Sequence, residues 1–229
     1  MATHLDLEEQ EQLDQLKHFW NRYGNLITWL LILVLGAFAA FNGWQWWQRE
    51  QAAKASAMYD ELERAAQAND AAKVARVFGD MKDRYGGTAF AEQGGLLAAK
   101  IEFEQGKLDE ARASLTWVAD NAGQPEYRSI ARLRLAALLL ESKQYDAALQ
   151  QLDAADAKTF APLVADRRGD VLLAQGKKDA ARASYERAYA TMDPAVDYRR
   201  LVEAKLVALG AAPAASAAPA ASAASGAAK

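Results

Sequence analysis

Between Arg22 and Arg49 the chain carries no charged side chain, and within that gap residues 26–47 are apolar except for Thr28, Gly36, Asn42, Gly43 and Gln45. Twenty-two helical residues rise about 33 Å at ~1.5 Å each, enough to cross a hydrocarbon layer about 30 Å thick. Trp20 and Tyr23 stand at one edge of the stretch and Trp44, Trp46 and Trp47 at the other. Such amphipathic aromatics settle at headgroup depth, so these five are the expected contacts with the lipid bilayer interface.

Two other readings compete with a membrane span over residues 23–48. A buried core helix seldom runs this far without a charge. A cleaved signal would take residues 26–35 as its apolar region and Ala37-Phe38-Ala39 as its cleavage site. Against cleavage, the preceding segment is long and acidic, and the apolar run continues through Phe41 into the tryptophans. Lys17 and Arg22 precede the span and Arg49 and Lys54 follow it, so the local count of basic residues is tied. Acidic residues contribute little to topology and long domains cross regardless of charge, so charge alone leaves the orientation open.

Residues 1–22 hold Asp6, Glu8, Glu9, Glu11 and Asp14 against Lys17 and Arg22, which accounts for the whole net charge of −3. The remaining chain is electrically balanced and offers no footprint for nucleic acid. There is no cysteine, which excludes disulfides, thiolate catalysis and cysteine metal sites. Both histidines, His4 and His18, precede the apolar stretch, so the large domain has no imidazole base or metal ligand. No cofactor motif, phosphate loop or nucleophile motif is present.

Beyond residue 48 the pattern is all-α. Alanine is abundant, glycine and proline punctuate segments, and no alternating β-branched run occurs. Three stretches share a helix, turn, helix signature. Gly106-Lys107-Leu108-Asp109-Glu110-Ala111 precedes Leu115, Lys143-Gln144-Tyr145-Asp146-Ala147-Ala148 precedes Leu152, and Gly176-Lys177-Lys178-Asp179-Ala180-Ala181 precedes Tyr185. Their offsets of 37 and 33 residues bracket the 34-residue tetratricopeptide period. Gly106 and Gly176 suit the left-handed end of a first helix, and the aspartates suit caps of the second. Ala111, Ala148 and Ala181 are expected at close helix crossings, faced by Ala99, Ala136 and Gly169 twelve residues earlier.

Further helices are expected over 51–69, 70–85, 89–105, 126–141 and from Pro162 to 175, with a last one opened by Asp193-Pro194 and ending before Gly210. That last helix alternates charged and apolar residues and serves as a solenoid cap. Stacked pairs leave a groove lined by first helices, which by this register presents Leu96, Lys100, Phe103, Leu133, Ala137, Leu140, Asp166, Asp170 and Leu173 as partner-binding residues. An apolar stripe at helical spacing also suits plain core packing. Residues 210–229 hold 12 Ala, 3 Ser, 2 Pro, 2 Gly and Lys229 and read as a disordered tail. The organisation is thus a short acidic tail over 1–22, a membrane helix over 23–48, a tetratricopeptide-like domain over 49–209 and the tail from 210.

The N-terminal arrangement of Gln12, Leu16, Lys17, Phe19 and Gly24, the Trp46-Trp47 exit, and the stretch over 164–185 with Asp166-Arg167-Arg168-Gly169-Asp170 and Gly176-Lys177-Lys178-Asp179-Ala180-Ala181 resemble the YfgM family. This is the ancillary subunit of the bacterial SecYEG translocon, and the likeness covers roughly residues 8–209. The Ala-Pro-Ser tail has no counterpart in it. The resemblance implies a cytoplasmic N-terminus, one inner-membrane helix and a periplasmic domain. It also implies association with SecYEG and the membrane-anchored chaperone PpiD in the traffic of exported polypeptides, with no catalytic residues to carry over. A general periplasmic scaffold for envelope assembly or cell division would use the same repeats. An enzyme would need a perturbed carboxylate pair in a deep pocket.

Overall fold

The computed structural model describes residues 7–156 and 158–211, and the side chains from residue 17 onward within them. The acidic side chains before Lys17 and the tail from 212 lie outside that description. The chain divides into two compact units, Met1–Gln51 and Ala52–Lys229. The first helix, α1 (Leu7–Gln67), contributes to both.

In the first unit the apolar stretch is helical, and nearly all its large side chains point outward without covering one another. A helix that is apolar on every side and buries almost nothing is built for lipid and not for a core. Two of its three polar side chains bond to its own backbone: Thr28 Oγ1 donates to the Gly24 carbonyl at 2.8 Å and Asn42 Nδ2 to that of Phe38 at 2.8 Å, while Gln45 Oε1 accepts from Arg49 at 3.3 Å. In hydrocarbon, where no water is available, that internal pairing removes the cost of an orphan donor. At the near edge the Trp20 indole lies against Gly24, and at the far edge the Trp44 and Trp47 rings stand 5.3 Å apart. Trp20, Tyr23, Trp44, Trp46 and Trp47 are all exposed. These observations set the buried-core reading aside.

The second unit contains the end of α1 followed by α2 (Ala71–Tyr85), α3 (Ala89–Glu104), α4 (Leu108–Asn121), α5 (Pro125–Glu141), α6 (Tyr145–Asp153), α7 (Ala161–Ala174), α8 (Lys178–Thr191) and α9 (Tyr198–Ala208), with a 3-10 turn at Lys158–Phe160. Four apolar clusters hold it together. One joins α1, α2 and α3 through Leu62, Val74, Met81 and Ala98; the next joins α3, α4 and α5 through Ala99, Leu115 and Leu135. The third joins α5, α6 and α7 through Leu139, Leu152 and Val171, and the last joins α7, α8 and α9 through Ala165, Tyr185 and Leu206. Every cluster draws on the first helix of the following pair. No pair owns a complete core, so stacking is what buries the apolar faces.

The repeat is written in the backbone. Asn69, Gly106, Lys143, Gly176 and Gly210 all have positive φ, and each ends an odd-numbered helix. After each, the next amide reaches back five residues: Asp70 to Ala65, Lys107 to Glu102, Gln144 to Leu139, Lys177 to Leu172 and Ala211 to Leu206, at 2.8–3.0 Å. This left-handed cap satisfies carbonyls that a helix end would otherwise leave open. Lys143, at φ 59, lacks the glycine that makes the conformation cheap. Lys143→Gly is expected to stabilise the domain by about 1 kcal/mol, read as a raised urea midpoint of the full chain in detergent. An unchanged midpoint would refute the strain.

Three expectations change. Asp109, Asp146 and Asp179 do not cap their helices; the caps are Lys107, Gln144 and Lys177, none with a side-chain bond, and the aspartates lie in the first turn. The tight left-handed turn starts the helix early, so the carboxylates act on its dipole instead. The last helix begins at Tyr198, because Asp193 Oδ1 accepts the Ala195 amide at 2.8 Å and folds residues after Met192 into a turn. Gly210 and Ala211 belong to the domain, since Gly210 caps α9 and Ala211 is buried in the last core. Ala99, Ala111, Ala136, Ala148, Gly169 and Ala181 are all buried, as the crossings require.

Candidate functional site

The nine groove residues occupy three register positions: three, six and ten residues before the left-handed residue ending α3, α5 or α7. The structure treats the positions differently. At the first, Phe103 is 44% exposed and Leu173 37%, while Leu140 is half-buried. At the second, Lys100 is exposed and Ala137 and Asp170 are half-buried. At the third, Leu133 is half-buried, but Leu96 is in the core and Asp166 is 1% exposed. Leu96 and Asp166 therefore do not line an open surface. The position faces the next odd helix, which covers it.

Lys100, Phe103 and Ala137 meet at a cavity of about 250 Å3 between α3 and α5. Ala99, Phe103, Leu115, Ala137 and Leu138 give it an apolar lining. Arg134 and Glu141 complete its rim with Lys100. The sequence register missed Arg134, Leu138 and Glu141. The available signal was the run Arg132-Leu133-Arg134-Leu135, which places a cation one residue from the groove position.

Asp166 and Asp170 are drawn into a polar network under α9. Lys205 Nζ contacts Asp166 Oδ1 at 2.8 Å, Asp166 Oδ2 at 2.9 Å and Asp170 Oδ1 at 2.7 Å. The Tyr198 hydroxyl donates to Asp166 at 2.8 Å, the Tyr185 hydroxyl to Asp170 at 2.9 Å, and Arg167 to Asp170 at 3.2 Å. Burial first, then the bond to Asp166, pushes the Tyr198 pKa up to about 12; burial and the bond to Asp170 raise Tyr185 as well. Both phenols stay neutral donors, and every acid here has a partner. The network fastens the last helix; it is not an open site. The corresponding junction between α3 and α5 has no buried acid at this position: Leu138 is in one cluster with Leu96 and Ala99, and Arg134 donates to the Leu96 carbonyl at 3.1 Å.

Two carboxylates elsewhere are perturbed, Asp156 being held low by the hydrogen bond from Arg128. Burial raises the pKa of Glu102, which accepts from Ser114 Oγ at 2.7 Å between α3 and α4. It stands apart from the cavity lining and has no second carboxylate as hydrogen-bond partner, so it serves packing. Among the described residues, no group of three or more His, Cys, Asp or Glu is placed to hold a metal.

A lipid-type helix leading into stacked helical hairpins with a first-helix groove defines a membrane-anchored tetratricopeptide-like protein. The family model for a tetratricopeptide repeat-like domain matches residues 17–211. A Neisseria gonorrhoeae protein described as an ancillary SecYEG translocon subunit is 32% identical over 213 residues, spanning 91% of this chain and 100% of its own. Proteins of the same description from Haemophilus influenzae and Escherichia coli are 33% and 30% identical over 184 and 181 residues. These matches cover 80% and 78% of this chain and 89% and 85% of theirs. The chain belongs to the family of ancillary SecYEG translocon subunits, as the resemblance in its sequence implied.

Proposed function

We propose that this protein is a single-pass inner-membrane binding module that associates with the SecYEG translocon and assists exported polypeptides together with the periplasmic chaperone PpiD. The observation that carries the reading is the extent of the likeness. It spans 91% of this chain, anchor and repeats alike, in a relative whose description names the translocon, and the family model runs over residues 17–211. In this reading residues 1–22 are cytoplasmic, 23–48 cross the membrane and the repeats lie in the periplasm. Trp20, Tyr23, Trp44, Trp46 and Trp47 sit at the two interfaces, and the groove around Lys100, Phe103 and Ala137 takes a partner. The role is binding and not catalysis, supported by a charge-balanced domain in which buried Asp166 and Glu102 bond to Lys205 and Ser114 on neighbouring helices. Tethering confines the groove near the channel, so weak contacts suffice at the raised local concentration.

The test is capture from membranes in mild detergent. SecYEG and PpiD are expected to be enriched over an unrelated single-span protein, and a chain carrying a foreign membrane helix is expected to keep part of that enrichment. If neither partner is enriched, the general periplasmic scaffold replaces this reading.

A further inference from the structure

The cavity between α3 and α5 carries on its lining a cation, Arg134, that makes no ion pair among the described residues, although Glu141 lines the same cavity. Arg128, Arg167 and Arg168 are ion-paired to Asp156, Asp170 and Asp153. Arg134 instead donates to the main-chain carbonyl of Leu96 at 3.1 Å and makes no ion pair among the described residues. Its surroundings are apolar enough that burial lowers its pKa. Arg134 as a whole residue is exposed, with its guanidinium held against the Leu96 carbonyl, so it can be reached by an incoming carboxylate, and a charge-assisted bond there is stronger than a neutral one. Lys100 adds a second positive charge on the rim, shared at 3.8 Å with Glu104. Glu141 is seven residues from Arg134, about 10 Å along the helix, so the lining also carries one negative charge.

The apolar part is sized for one side chain. A dry cavity of about 150 Å3 accepts benzene, and this one offers about 250 Å3 over Ala137 and Leu138 with Phe103 beside it. The exposed apolar position recurs on neighbouring helices at Leu173 and Val207. A chain running onward can use those residues, whereas a chain ending at Arg134 reaches them from one side only.

We propose that this cavity binds an extended polypeptide segment carrying a large apolar side chain beside an internal Asp or Glu, the apolar group over Ala137 and Leu138 and the carboxylate on Arg134. The proposal rests on the groove being the binding face in the function above. It specifies the chemistry that the groove selects.

The experiment uses the full chain in detergent micelles and dye-labelled twelve-residue peptides in Ser-Gly background, acetylated and amidated. One contains a Glu-Leu pair, one Gln-Leu and one Glu-Ser; a fourth lacks an internal acid and ends in a free carboxylate after Leu. Fluorescence anisotropy is expected to show the Glu-Leu peptide binding about tenfold more tightly than either Gln-Leu or Glu-Ser, the scale of one charge-assisted hydrogen bond. In Arg134→Gln, with its melting temperature checked, the Glu-Leu and Gln-Leu peptides should bind within about twofold of each other, while Ala137→Trp should abolish the preference for Leu over Ser. Equal binding of Glu-Leu and Gln-Leu by the unmodified chain, no binding of either, or a preference for the free-terminus peptide overturns the proposal. SecYEG capture from the same membranes keeps the readings apart. Enrichment without Glu-over-Gln discrimination overturns this proposal and leaves the function standing, whereas discrimination without enrichment supports this proposal and overturns the function.

Discussion

Gly169→Leu is expected to destabilise the domain by about 3 kcal/mol, the upper end of the cost of overpacking a filled core. A Cβ at this position would lie 2.4 Å from Tyr185 Cε1 and 2.5 Å from Cδ1, far inside contact distance. Tyr185 cannot simply swing aside, because it is 1% exposed and its hydroxyl is bonded to Asp170. Either α7 and α8 separate or the ring leaves its place and Asp170 loses a donor. For a domain of this size the loss corresponds to roughly 6–12 °C in melting temperature, read by circular dichroism of the full chain in detergent. Ala136→Leu, at a crossing of the same register that is also fully buried, is expected to fall in the same direction. Unchanged melting in both variants would mean that the helices do not approach closely at these positions.

Lys205→Met should cost about as much for an electrostatic reason. Removing one partner of a buried ion pair leaves the other charge uncompensated, at a cost of roughly 3–5 kcal/mol. The low end applies here, because the Lys205 side chain is 23% exposed and Tyr198 still donates to Asp166. The apolar stem of methionine keeps the packing of the lysine stem, so the loss reports charge and not volume. The decisive comparison is the double variant Asp166→Asn with Lys205→Met, which removes the stranded charge and is expected to recover at least half of the loss. Chemical denaturation of the four chains gives the coupling directly. Additive losses in the double variant would show that the network does not fasten α9.

Much of this was legible in the order of residues. A charge-free run with aromatic edges states its own environment, because the cost of charge in hydrocarbon is local to each residue. Gly106 and Gly176 mark left-handed turns because a Cβ is penalised there whatever surrounds it. Where the local signal was weaker, detail was lost: Lys143 occupies the same turn without the glycine, and Asp109, Asp146 and Asp179 look like caps while sitting two residues further in, within the first turn. The nine groove residues share three register positions, yet the register could not tell an open position from a covered one.

What the sequence by itself determined is therefore the membrane helix, the all-α class, the pairing of helices and the small residues at their crossings. Each follows from periodicities and backbone preferences acting within about one repeat. Only the tertiary structure decided which polar groups meet. Lys205 reaches Asp166 from 39 residues away and Arg134 reaches the Leu96 carbonyl from 38, contacts between first helices of successive pairs. Those distances depend on how each pair is rotated against the next, a property of packed side chains that local propensity does not encode. That rotation is why Asp166 is sealed beneath α9, and why Arg134, at a neighbouring register position, stands over a cavity and makes no ion pair among the described residues.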